Sequence, residues 1–135
     1  MAIKFLLHCN GTNGSTTFTD EAGHTVSVSG NAQISGSKKK FGDASGSVSA
    51  GGYISMASAD LGMTAGAQWS IDGWFYATSL PLSYNPFFSC AASSVGFEFG
   101  VTSGGALFAW SNVTGTISGP SFSTNTWHHV EANFD

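Results

Sequence analysis

Apolar and polar side chains alternate along most of this chain with the period of two that places successive residues on opposite faces of a sheet. The last run shows it best. After the polar turn residues Ser123 to Thr126 and a bulky Trp127, apolar Val130, Ala132 and Phe134 alternate with polar His129, Glu131 and Asn133. A strand needs a neighbour, so this run either closes a compact all-β domain or belongs to a longer chain. Within residues 69–77, Trp69, Ile71, Phe75 and Ala77 share one face, and Ser70, Asp72, Trp74 and Tyr76 share the other. Aromatic groups on both faces predict that one packs in the core while the other is covered by a loop, a partner or a ligand.

Further runs of about five to eight residues are separated by Gly, Ser, Asn and Pro clusters, and none has sustained helical periodicity. At the start, Ile3, Phe5, Leu7 and Cys9 fall on one face of a predicted strand, which ends at the turn-forming Asn10-Gly11-Thr12-Asn13-Gly14. Residues 24–30 alternate and lead to Ala32 and Ile34, before the polar connection Lys38 to Gly42. Ser45 to Met56 reads as two short strands around Gly51-Gly52, with Val48, Tyr53 and Ile54 supplying the interior or its rim. Phe87 to Cys90 is followed by residues 95–101, with Val95, Phe97, Phe99 and Val101 inward. The Ser103-Gly104-Gly105 step predicts a hairpin into Leu107 to Trp110, and Thr114 to Ile117 precedes the final run. The pattern is that of an antiparallel β-sandwich or jelly roll in one domain spanning 1–135.

Composition narrows the role. Only 9% of the residues are charged, 13% are aromatic and 18 are glycine, which is a globular β-type balance rather than a disordered one. The net charge is -4, arginine is absent, and Lys38-Lys39-Lys40 is the one basic cluster. That is too few cations for a nucleic-acid binder, which must neutralise many phosphates. The first nine residues hold only a short apolar run interrupted by His8, so neither a signal peptide nor a membrane helix is expected. Cys9 and Cys90 sit among apolar or small residues and read as buried thiols more readily than as a disulfide.

Several stretches together resemble the concanavalin A-like lectin/glucanase superfamily, and within it the laminin-G-like jelly-roll domains of bacteriophage virion proteins. They are residues 6–15, 18–24 and 31–35, the Lys40-Phe41-Gly42 step, residues 69–76, and Asn125-Thr126-Trp127-His128-His129-Val130, the most distinctive. The resemblance implies a concanavalin A-like jelly roll. Its members continue past the Trp-His-His-Val strand into further strands, so the chain is expected to lack its last strands. A truncated chain, a partner that supplies those strands, and a reduced variant are the three explanations.

No residue is expected to be catalytic. Retaining glycosidases need two carboxylates about 5–5.5 Å apart, whereas Asp72 and Glu98 lie on different predicted strands and Asp20-Glu21 lies in a turn. His128 and His129 point to opposite faces of a strand and cannot easily ligate one ion. No metal site or cofactor is therefore expected, although laminin-G-like domains offer a precedent for calcium, with Asp20, Asp43, Asp60 and Asp72 as available ligands. Sugar binding is the best use of what is present, with Trp74, Tyr76 and Trp110 as stacking faces and Asp72 as a hydroxyl acceptor. The same aromatics serve more readily as ordinary core or inter-subunit contacts. What the resemblance implies is a non-enzymatic virion module: a capsid decoration, head fibre or tail fibre protein located in the phage particle. Its partners would be other virion subunits or copies of itself, with a host-surface glycan as the candidate ligand. A freestanding bacterial carbohydrate-binding lectin is the alternative.

Overall fold

The computed structural model describes residues 3–63, 68–92 and 95–134. Within them the chain is antiparallel β-structure apart from one helical turn, and it divides into two compact units, Met1–Gly62 and Met63–Asp135. Of the predicted terminal runs, Met1, Ala2 and Asp135 lie outside the described residues.

In the first unit the strands are three residues long because glycine turns interrupt every apolar run. β1 (Ser27–Ser29) pairs with β4 (Tyr53–Ser55), setting Val28 opposite Ile54, and β2 (Gln33–Ser35) pairs with β3 (Ser45–Ser47). Phe18, Ile34 and Ala44 form the core, with Leu7, Cys9, Val26, Val28 and Ile54 packed against it. Gly30 makes the β1–β2 turn with φ +64°, and a Cβ there would sit 2.5 Å from the Gly51 carbonyl oxygen. Only glycine fits. The single helical turn α1 (Ser58–Leu61) stops at Gly62, whose left-handed backbone lets its N–H bond the Ala59 carbonyl.

Two sequence expectations fail in this unit. Residues 3–9 form no strand, and Ile3 is 70% exposed; a lone bridge joins Leu7 to Asp20. The physical reason is a competing acceptor. The Asp20 carboxylate, rather than a strand ladder, takes the Leu6 N–H at 2.8 Å, while the Leu6 carbonyl receives the Glu21 N–H. Of the three side chains of residues 45–56 assigned to the interior or its rim, Ile54 packs in the core, but Val48 and Tyr53 are each 58% exposed.

The second unit is a two-layer sandwich. β6 (Asn85–Ala92), β7 (Val95–Val101), β8 (Ala106–Ser111) and β9 (Gly115–Ser121) form a four-stranded meander in the order β6-β7-β8-β9. β5 (Trp69–Tyr76) and β10 (Trp127–Phe134) form an antiparallel ribbon running from Trp127 opposite Tyr76 to Phe134 opposite Trp69. Inward residues of both layers meet in one core of Phe99, Val101, Phe122 and Val130, joined by Ile71, Phe75, Phe87, Phe88, Leu107 and Ala132 among others. Phe97 and Trp69 extend it, their rings 4.0 Å apart, and Phe75 stacks on Phe87 at 4.2 Å. Each fully buried Phe contributes roughly 2–3 kcal/mol by removing its surface from water.

The alternation predicted for β5, β7 and β10 is what the layers use: Phe97, Phe99 and Val101 point inward, with the side chain of Val95 outside the described set. Pro86 and Pro120 lie on β6 and β9, the outer strands of the meander, where a missing N–H breaks no central ladder. Among the described residues no helix is long and apolar enough to cross a membrane.

Candidate functional site

Inward packing of Phe97 and Phe99 forces their neighbour Glu98 to the opposite, outward face of the meander. The ladder then fixes who stands beside it. Ser89 on β6 pairs with Glu98, Glu98 with Trp110 on β8, and Trp110 with Thr116 on β9, so four side chains cross the sheet in one row. Ser89 Oγ donates to Glu98 Oε1 at 3.1 Å, which holds the carboxylate in place. The Trp110 indole lies over Gly96, where even a Cβ would come within 3.4 Å of the ring. The absent side chain lets the ring settle against the sheet. Tyr84 meets Phe108 edge-on at 5.1 Å, so Phe108 is buried beneath a ring that is itself 65% exposed. Together Tyr84, Glu98, Phe108, Trp110 and Thr116 line an open groove of about 300 Å³.

The ribbon presents a second outward face. Asp72, Trp74 and Tyr76 stand on it with Trp127, His129 and Glu131 from β10. His129 Nε2 lies 3.1 Å from Asp72 Oδ2, the His129 ring sits 5.2 Å from Trp74, and Tyr76 packs 5.4 Å from Trp127. Glu131 is the register partner of Asp72 and accepts a hydrogen bond from Asn133 Nδ2 at 3.0 Å. Of the four residues expected to bind sugar, then, the structure gathers Asp72, Trp74 and Tyr76, while Trp110 belongs to the other layer. β5 and β8 lie on opposite sides of the core and all four residues face away from it, so they stand on two separate outward faces. Sequence reasoning missed Tyr84 and Thr116 as neighbours of Trp110. The alternation around Phe97 and Phe99 could have assigned Glu98 its face, but register across strands is not written in any one of them.

Other chemistry is constrained. In the first unit Asp20 is buried, with Oδ1 accepting from the Leu6 and Ala22 N–H groups and Oδ2 from the His24 N–H at 3.1 Å and facing His24 Nδ1 at 2.6 Å. Removal from water raises its pKa, but the N–H groups of Leu6, Ala22 and His24 and the His24 ring outweigh that and lower it to about 2. Both oxygens are engaged, so this aspartate acts as a knot between segments. A depression of about 200 Å³ is lined by His8, Cys9, Asn10, Thr19 and Glu21. Burial pushes the Cys9 thiol up, against a weaker downward pull from a backbone hydrogen bond with Gly46, which disfavours the thiolate a nucleophile needs. Cys9 and Cys90 are both free thiols.

In the second unit His128 Nε2 lies 3.0 Å from the Ser123 carbonyl and 3.1 Å from the Ser123 hydroxyl. The carbonyl can only accept, so Nε2 carries the proton and cannot serve as a base toward that hydroxyl. Among the described residues no group of three His, Cys, Asp or Glu side chains could hold a metal ion.

A laminin-G-type family model, described as concanavalin A-like lectin/glucanases superfamily, matches residues 47–135. The match covers β4 to β10 and the final Trp-His-His-Val run; the stretches between Leu6 and Gly42 lie outside it. No curated protein and no solved structure matches the chain.

Proposed function

The chain belongs to the concanavalin A-like lectin/glucanase superfamily, and from that premise we propose that it is a non-enzymatic adhesion module that holds carbohydrate in the groove on the outward face of β6–β9. One observation carries the reading: the Trp110 indole packs over Gly96 in an open groove, beside a fixed carboxylate and the Thr116 hydroxyl. An aromatic face supplies a surface for the apolar C–H face of a sugar, and flanking oxygens take its hydroxyl hydrogens. A non-enzymatic role is supported by the placement of the acids. Among the described residues Glu98 is the only carboxylate lining the groove, whereas Asp72 and Glu131 project from the ribbon on the far side of the core. Two carboxylates flanking one glycosidic bond, as hydrolysis needs, are not assembled there among the described residues.

The resemblance to laminin-G-like domains of phage virion proteins supports a place in a phage particle, as a decoration or fibre module displaying this groove for host attachment. The copy number of the chain in purified particles tests that placement: a fixed stoichiometry is expected, and absence from particles sinks it. The groove is tested by titrating the protein with neutral oligosaccharides in a calorimeter. Trp110 is 37% exposed, so a sugar covering what remains of a roughly 250 Å² side chain gains about 2 kcal/mol, or about thirtyfold in affinity. Trp110→Ala should lose that factor while Trp74→Ala keeps it. Equal losses from the two variants, or no binding to any oligosaccharide, would remove the groove from the account.

A further inference from the structure

Residues 63–135 contain four acidic residues, Asp72, Glu98, Glu131 and Asp135, and not a single lysine or arginine. Every lysine of the chain lies before residue 41. Of the described side chains that line the Trp110 groove, Glu98 alone is charged, and the hydroxyl of Ser89 keeps its carboxylate oriented on the sheet. An anionic sugar stacked on Trp110 would therefore meet a carboxylate and find no lysine or arginine anywhere in this unit. A sugar carrying an ammonium group would meet an oriented counter-charge one ladder position from the stacking face, since Glu98 and Trp110 are directly opposed on β7 and β8. Directly opposed residues on one face stand about 4.5–5.5 Å apart at Cβ, a spacing over which a ring stacked on the indole places its substituents beside the acid.

We infer that the groove selects glycans by charge, taking amino sugars with a protonated primary amine in preference to neutral N-acetylated ones and rejecting uronic and sialic acids, with Glu98 as the residue that sets the preference. This inference rests on the carbohydrate reading of the same groove. It assigns the two contacts separate tasks: Trp110 supplies affinity that any pyranose can use, and Glu98 supplies discrimination. The carboxylate is partly open to solvent, so its contribution is that of a screened ion pair and falls as salt rises.

The test compares a glucosamine oligomer, the N-acetylglucosamine oligomer of equal length and a galacturonate oligomer by calorimetry. At about pH 6 and low salt a sugar amine, like an α-amino group, is largely protonated. The wild-type protein should bind the amine-bearing oligomer about two- to fivefold more tightly than the N-acetylated one, and the acidic oligomer more weakly than either. Glu98→Gln, which keeps an oxygen for the Ser89 hydroxyl and for a sugar hydroxyl, should erase that gap by weakening the amine-bearing oligomer more than the N-acetylated one. Glu98→Lys should reverse the ranking toward the galacturonate oligomer. Equal binding of all three oligomers by the wild type, or a gap that survives in Glu98→Gln, overturns the charge selection while leaving the stacking site standing. Failure of every oligomer to bind the wild type overturns both.

Discussion

Replacing Phe99 by alanine removes the ring at the centre of the second unit's core, and the size of the effect follows from its surroundings. Phe99 is 2% exposed, edge-on to Phe75 at 6.2 Å and to Phe87 at 6.1 Å, and stacked with Phe88 at 6.4 Å. Its partners come from both layers, so no single strand can move in to fill the space. Truncating a buried Phe in such a setting costs about 3–5 kcal/mol, the lost transfer energy plus the cavity left behind. That is a large share of the roughly 5–15 kcal/mol by which a domain is stable. The chain offers a selective probe, because all four tryptophans, Trp69, Trp74, Trp110 and Trp127, lie in residues 63–135. Tryptophan fluorescence in a urea titration therefore follows this unit alone. With a slope on the order of 1–2 kcal/mol per molar urea, the midpoint should fall by at least about 1.5 M. Phe99→Leu should fall between, at about 1–2 kcal/mol, and Thr116→Ala on the exposed face should stay within about 0.5 kcal/mol of wild type. A Phe99→Ala midpoint indistinguishable from that of Thr116→Ala would refute the two-layer core.

The remaining predictions concern the first unit and the entry to β10. Asp20 has a folded-state pKa of about 2, below the ordinary 3.8, so the unfolded chain binds more protons between those values. The stability it confers is complete above the ordinary value and is lost as pH falls through about 2. Asp20→Asn should flatten the acid limb of the far-ultraviolet circular dichroism transition in that window and lower stability near neutrality; an unchanged acid limb would count against the knot. Cys9 should be alkylated at neutral pH about tenfold more slowly than a model thiol, and fast labelling of the folded protein would contradict its burial. Asn125 begins the last turn with φ +60° and its N–H bonds the Ala77 carbonyl. Asn125→Val should cost about 1–2 kcal/mol in the fluorescence transition while Asn125→Gly is neutral; equal behaviour of the two would exclude backbone strain as the cause.

Strands that lie on a core announced themselves, and those held by other means did not. β5, β7 and β10 each bury one face, so selection for packing leaves an alternating trace, and that trace gave the correct inward sets. β9 buries none of its side chains, and only its first half could be recognised from Thr114 to Ile117. Residues 3–9 show the opposite error. They carry a strand-like pattern, yet a buried carboxylate fourteen residues away captures the Leu6 N–H and overrides it. The groove was half legible. Trp110 stood out as an aromatic that could stack on a sugar, but its neighbours depend on the pairing of β7 with β8 and of β8 with β9, a property of three strands at once. The same limit hid the juxtaposition of Asp72 and Glu131.

β9 is attached to the rest of the protein by its backbone ladder to β8, and every one of its side chains stands in water. Thr116 on this strand borders the groove, so sequence change there is uncoupled from folding. A lineage carrying this scaffold can retune what it adheres to by exchanging residues on one outer strand, with no compensating substitution in the interior.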